Sequence, residues 1–205
     1  MRVQQGRARE LQWLVVGILA ATLGLHNGSR IGPASLLDEL RVRFGVDYGG
    51  VGNLLGAYTL TYAFAQLSAG FLTDRFGSRR LLLIGLALMT AGSATFAFAS
   101  QYEVALVGRW VMGIAGGCLY TPAVTYCFAA FQRSARGRAM AFAQSGTGAG
   151  LVLSVSALPV LYGVVGLTGA FLVYPLLAGG LWLCVWRFLH PVSETHSSTF
   201  GLGRL

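Results

Sequence analysis

GFLTDRFGSRR, residues 70–80, sits between two long apolar runs. One acid and three arginines crowd into positions 74–80 of a glycine-punctuated turn, in a chain that otherwise avoids charge. What the turn can do depends on the solvent its flanks occupy. Of 205 residues, 55% are apolar and 11% charged, whereas soluble domains carry about 25% charged residues. This is a membrane composition, and the turn reads as a short connection between two spanning helices.

A hydrocarbon core of about 30 Å takes about 20 helical residues to cross. Six runs meet that length: 11–37, 51–73, 81–99, 104–131, 139–162 and 167–189. The expected fold is all-α, with residues 1–10 as an N-terminal extension, 11–189 as a six-helix transmembrane bundle and 190–205 as the start of a further connection. The basic start followed by an apolar run has the look of a signal peptide. No small-residue cleavage site follows before further spans, so the first helix is expected to be retained.

Every basic residue is Arg. A nucleic-acid surface would gather them into one patch or stripe, but here they alternate with the apolar runs, which argues against a nucleic-acid partner and for a lipid bilayer. Arg2, Arg7 and Arg9 precede the first run, Arg75, Arg79 and Arg80 follow the second, Arg133, Arg136 and Arg138 follow the fourth, and Arg187 and Arg204 close the chain. The opposite connections hold only Arg41 and Arg43, offset by Asp38, Glu39 and Asp47, and then Glu103. By the positive-inside rule both termini are cytoplasmic, in a plasma membrane or a bacterial inner membrane. Cys118, Cys127 and Cys184 fall inside the runs as an odd set, which reads as apolar filler; no disulfide framework, metal site or cofactor is expected.

The third and sixth runs are almost purely apolar and are expected to face lipid, with Trp182, Trp186 and Arg187 as an interfacial belt. The other runs carry polar residues: Tyr58, Tyr62 and Gln66 at four-residue spacing, Tyr120, and the close glycine pairs Gly113/Gly117 and Gly146/Gly150, which let helix backbones approach. Ionisable residues inside a membrane are functional candidates by default. Arg30 lies 17 residues after Trp13, roughly 26 Å along a helix, and Arg109 six after Glu103, roughly 9 Å. Both belong to the outer half. Thr22, His26 and Arg30 repeat every four residues, with Asn27 three before Arg30, so they share one helix face, and Pro33 is placed to kink the helix beyond. Two structural alternatives stand beside this reading: Arg30 snorkelling to outer headgroups, and Arg109 donating to carbonyls of a neighbouring helix. No Asp or Glu falls inside any of the six runs, and a field built from Arg alone favours an anion.

The opening stretch resembles the loop between helices 2 and 3 of the major facilitator superfamily, whose signature is close to GxLaDRxGRrr. Gly70, Leu72, Asp74, Arg75, Gly77 and Arg80 match, while Ser78 replaces a frequent Arg. RWVMGIAGG, residues 109–117, is similar to the family's RxxxGxxxG segment. The resemblance implies half of a fold built from two six-helix bundles, each a 3+3 inverted repeat. It also implies secondary active transport by alternating access, with helices 1 and 4 lining a central cavity. Gly70, Asp74, Arg75, Gly77, Arg79 and Arg80 would form a conformational-switch motif in which Asp74 contacts a second six-helix half, either a C-terminal half or a second copy.

SRIGPASLLDEL and YAFAQLSAGFLTDRFG look similar to organic-anion branches of the family, where an Arg near the same place in helix 1 binds carboxylate or phosphate. The substrate-binding candidates are therefore Arg30, His26, Asn27, Tyr58, Tyr62, Arg109 and Tyr120, around a small organic anion moved by uniport, symport or exchange. The GPxxGG signature of drug antiporters and the PESPR signature of sugar porters are absent. The remaining alternatives are a transporter of neutral or cationic solutes and a packing or regulatory subunit without transport. An enzyme is not expected. An intramembrane serine protease needs GxSG and a His on another helix to activate the hydroxyl; Ser145 follows Ala143 and Gln144, and no late run holds a His before His190.

Overall fold

The computed structural model describes residues 2–190, with side chains from Gln12 onward. The expectations for Arg2, Arg7 and Arg9 as side chains, and for the 191–205 segment with Arg204, lie outside the described residues. The described chain is all-helical: α1 (Arg2–Ile31), a 3-10 turn (Gly32–Leu36), α2 (Leu37–Phe44), α3 (Tyr48–Phe76), α4 (Ser78–Phe98), α5 (Tyr102–Ala130) and α6 (Arg133–Phe188).

Among the described residues, four stretches are long and apolar enough to cross a membrane: Gln12–Phe44, Ser78–Phe98, Tyr102–Ala130 and Arg133–Phe188. The difference from the six expected runs has two physical causes. α3 is 29 residues long, but Asn53, Thr59, Thr61 and Gln66 dilute its hydropathy. α6 is continuous over 56 residues, about 84 Å if straight and far more than one bilayer. It is not straight, because Gly166 takes φ 72° and ψ 178°, a conformation essentially reserved for glycine. The hydroxyls of Ser154 and Tyr174 meet at 2.5 Å, whereas 20 residues of straight helix would hold them about 30 Å apart. α6 is therefore a hairpin of two arms, 133–165 and 167–188.

α1 packs along the first arm of α6 because glycine faces glycine. A Cβ on Gly24 would lie 2.8 Å from the Gly146 carbonyl oxygen, and one on Gly28 would lie 2.8 Å from that of Gly150, so the two backbones touch directly. α4 packs one face between α5 and the second arm of α6, burying Leu82, Leu86, Met89 and Phe96, with the Phe96 and Phe171 rings 4.9 Å apart, edge to face. The third run therefore has one face against protein and another, with Ile84, Ala87, Ala91 and Phe98, exposed. Gly85 and Gly92 let α5 approach until the Gly108 carbonyl oxygen would stand 3.0 Å from a Cβ on Gly92. The sixth run divides by face, with Ala170, Phe171, Tyr174 and Ala178 buried and Leu176, Leu177, Leu183 and Trp186 exposed.

Candidate functional site

The site grows from the end of α1. Pro33 has no N–H, so the carbonyl four residues before it, Ser29, has lost its usual helical partner. Arg109 on α5 replaces it. Its guanidinium donates through Nη1 to the Ser29 carbonyl at 2.8 Å, through Nη2 to the Arg30 carbonyl at 3.0 Å and through Nε to the Leu54 carbonyl of α3 at 3.3 Å. It lies 4.9 Å from the Tyr58 ring centroid and 5.5 Å from that of Phe96, with no surface exposed. The neighbouring Gly28 carbonyl accepts from Ser154 at 3.0 Å and Tyr174 at 3.1 Å, both on α6. The last turn of α1 is thus tied to three other helices. The fork of Arg109 is enclosed and engaged by backbone, the arrangement that the structural alternative for this residue describes.

One turn earlier on α1, buried His26 faces three tyrosines. Nδ1 lies 2.9 Å from the Tyr58 hydroxyl, which also donates to the His26 carbonyl at 3.2 Å. The pairing that satisfies both contacts has Nδ1–H donating to the phenol oxygen, leaving Nε2 as an acceptor. The His26 ring stands 4.9 Å from that of Tyr62 and 6.5 Å from that of Tyr120. α5 can come this close because Gly116 has no side chain; a Cβ there would sit 2.7 Å from Nδ1. Arg30, half-buried, holds its guanidinium 5.9 Å from the Tyr62 centroid.

The structure therefore brings His26, Tyr58, Tyr62, Tyr120 and Arg30 into one wall. Asn27 donates to the Thr147 carbonyl of α6 at 3.1 Å. The reading of the sequence missed Gln144, which donates to the Tyr120 hydroxyl at 2.9 Å and accepts from Thr147 at 3.3 Å. A Gln inside an apolar run was the signal available. A separate groove of about 590 Å³ runs between α1 and both arms of α6, lined by Ala21, Phe142, Ala149, Leu153 and Leu177 among others, without a charged residue. It has nothing to hold a charged solute.

In the 70–80 turn, Gly77 takes φ 81° and its N–H closes α3 onto the Thr73 carbonyl at 2.8 Å. Asp74, Arg75 and Arg80 are exposed, and none of the described residues crowds Gly70. Arg79 reaches instead to the end of α6, donating to the carbonyls of Trp186 at 2.9 Å and Leu189 at 2.5 Å. Ser78 is buried.

The sequence profile of the Major Facilitator Superfamily matches residues 13–204. The chain belongs to this superfamily. Within it, the chain is 30% identical over 199 residues to the probable anion transporter 2, chloroplastic, of Oryza sativa subsp. japonica, covering 93% of this chain and 36% of the relative. It is 29% identical over 197 residues to the methylenomycin A resistance protein of Bacillus subtilis, covering 94% and 40%. Its fold matches that of the major facilitator proton:xylose symporter XylE at a TM-score of 0.77 and 14% identity, over 87% of this chain and 45% of that one. The chain thus spans about two fifths of the length of these superfamily members, and it is an integral membrane protein.

Proposed function

We propose that the chain forms the N-terminal half of a secondary active transporter that moves a small organic anion by alternating access. On this reading residues 11–189 make six spans arranged as a 3+3 inverted repeat, with α3 and the two arms of α6 each counted as a crossing. Both termini face the cytoplasm of a cell bounded by a plasma or bacterial inner membrane, residues 190–205 begin a central connection, and a second six-helix half completes the path. Gly70, Asp74, Arg75, Gly77, Arg79 and Arg80 act at the boundary between the halves.

The observation that carries the anion reading is Arg30, a half-buried guanidinium 5.9 Å from the ring of Tyr62, which itself stands beside His26, while the six apolar runs of the sequence contain no Asp or Glu. Arg presents a planar fork matched to carboxylate or phosphate. His26 and the tyrosines supply uncharged donors and acceptors around it. The anion transporter relative supports the same substrate class.

The test is Arg30→Lys in lipid nanodiscs against a panel of organic anions, cations and neutral solutes. The variant keeps the charge and loses the fork, at a cost of about 1.5–3 kcal/mol for a charged hydrogen bond, or about ten- to a hundredfold in affinity for a carboxylate. A preference for a cation, or full affinity in Arg30→Lys, refutes the anion reading and leaves Arg30 as an interfacial anchor.

A further inference from the structure

The groove between α1 and the two arms of α6 shares no residue with the His26 wall. Its floor lies where Gly24 meets Gly146 and Gly28 meets Gly150. Its rims are large and apolar, and Phe142, Leu153 and Leu177 expose 52, 67 and 52% of their surface. They run on into Val152, Val160, Leu176 and Leu183 of the same hairpin, which are exposed as well. On a membrane protein an exposed apolar surface of this kind meets lipid, so the groove is continuous with the bilayer.

The length of the groove fits one lipid chain. On α1 it runs from Gly17 to Gly28, about 16 Å along the helix, and one leaflet of a hydrocarbon core about 30 Å thick is about 15 Å deep. Its end near Phe142 lies at a defined depth. Trp13 packs edge-on against Phe142 with ring centroids 6.2 Å apart and stays 39% exposed, and a partly exposed Trp at the end of a spanning helix sits at headgroup level. Gly17 follows Trp13 by one turn, about 6 Å deeper, so the groove begins just beneath the headgroups.

A charge waits at that mouth. Arg138 precedes Phe142 by four residues, on the same face of α6 and about 6 Å nearer the water. It is exposed and makes no hydrogen bond, ion pair or ring contact among the described residues. An unengaged guanidinium at phosphate depth, one turn beyond an uncharged groove, complements a molecule with an anionic head and an apolar tail.

We propose that the groove holds one acyl chain of an anionic glycerophospholipid whose phosphate rests on Arg138. The site is built from α1 and α6 alone and does not involve Arg30.

The test is native mass spectrometry of the full chain released from nanodiscs that contain equal parts of phosphatidylglycerol and phosphatidylcholine with the same acyl chains. The natural chain should retain one lipid, phosphatidylglycerol about fivefold over phosphatidylcholine, the value of one Arg at a membrane surface. Arg138→Gln should bring the two lipids within about twofold of each other. Arg133→Gln removes an exposed charge about 140° round the same helix and should leave the preference as it is. Ala149→Phe fills the groove from an exposed position and should cut retention of both lipids about tenfold. Ala21→Phe, exposed on the α1 side, should do the same and serves if the first variant does not fold. Equal retention of the two lipids by the natural chain, or a preference that survives Arg138→Gln or is lost equally with Arg133→Gln, overturns the proposal. Retention unmoved by both groove variants overturns it too, since the lipid then sits elsewhere. A second copy of the chain retained in place of lipid and released by Ala149→Phe makes the groove a protein interface and also overturns it.

Discussion

Arg109→Lys separates a structural arginine from a functional one. The guanidinium spans three carbonyls on two helices at 2.8, 3.0 and 3.3 Å, and an ammonium on a shorter stem is a single point that cannot reach all three. At least one charge-assisted bond is lost, at about 1.5–3 kcal/mol each, so the fold should weaken by at least about 1.5 kcal/mol. At about 2–4 °C per kcal/mol for a chain of this size, the unfolding midpoint should fall by at least about 3 °C in detergent, followed by tryptophan fluorescence. Pro33→Ala supplies a backbone N–H four residues after Ser29, the carbonyl that Arg109 caps. In that background Arg109→Lys should cost less, by about 1 kcal/mol for the one restored backbone bond. A midpoint within about 2 °C of the natural chain, together with loss of anion binding, would refute the cap and return Arg109 to the substrate side.

Two further outcomes are expected. Gly150→Ala places a methyl group against the Gly24 backbone, which cannot yield as a side chain can, so stability should fall by about 1–3 kcal/mol; Gly148→Ala, with open space at its Cβ, should be near neutral by the same unfolding measurement. For topology, cysteines at the exposed Ser134 and Gln101 should react with an impermeant thiol reagent from opposite sides of the membrane, Ser134→Cys only from the cytoplasm. Reaction of Ser134→Cys from outside would overturn the proposed orientation.

The helical character and the 70–80 turn were legible because both are local. Hydropathy marks a helix wherever its environment is uniformly apolar, and Gly77 marks the end of α3 because its positive φ leaves little alternative. Three things were not legible. The run that became α4 carries only small hydroxyl residues, Thr90, Ser93 and Thr95, which bond to carbonyls of their own helix, yet its glycines meet α5 and the Phe96 ring meets Phe171; such a composition looks the same against lipid and against a neighbour. Asn27 shares a stripe with Arg30, but its partner is a carbonyl 120 positions away in the chain. The roles of Arg30 and Arg109 could not be ordered either. That order depends on which backbone carbonyls a distant proline leaves without an N–H partner.

The way the arginines divide their work is what singles out Arg30. A helix C-terminus exposes carbonyls and a partial negative charge, which a nearby cation satisfies. Arg109 meets the end of α1, Arg43 the end of α4 through the Ala97 and Ala99 carbonyls at 3.0 and 2.6 Å, Arg136 the Phe131 carbonyl after α5 at 2.9 Å, and Arg79 the end of α6. Charges that the positive-inside count treats alike therefore do separate structural work at four ends. Arg30 is itself the last basic residue of α1, and the carbonyls it would naturally cap are already held by Arg109, Ser154 and Tyr174. Its own fork is left to face the tyrosines. A proline-broken helix took its capping arginine from α5, and that leaves the arginine of α1 free for the solute contact proposed above.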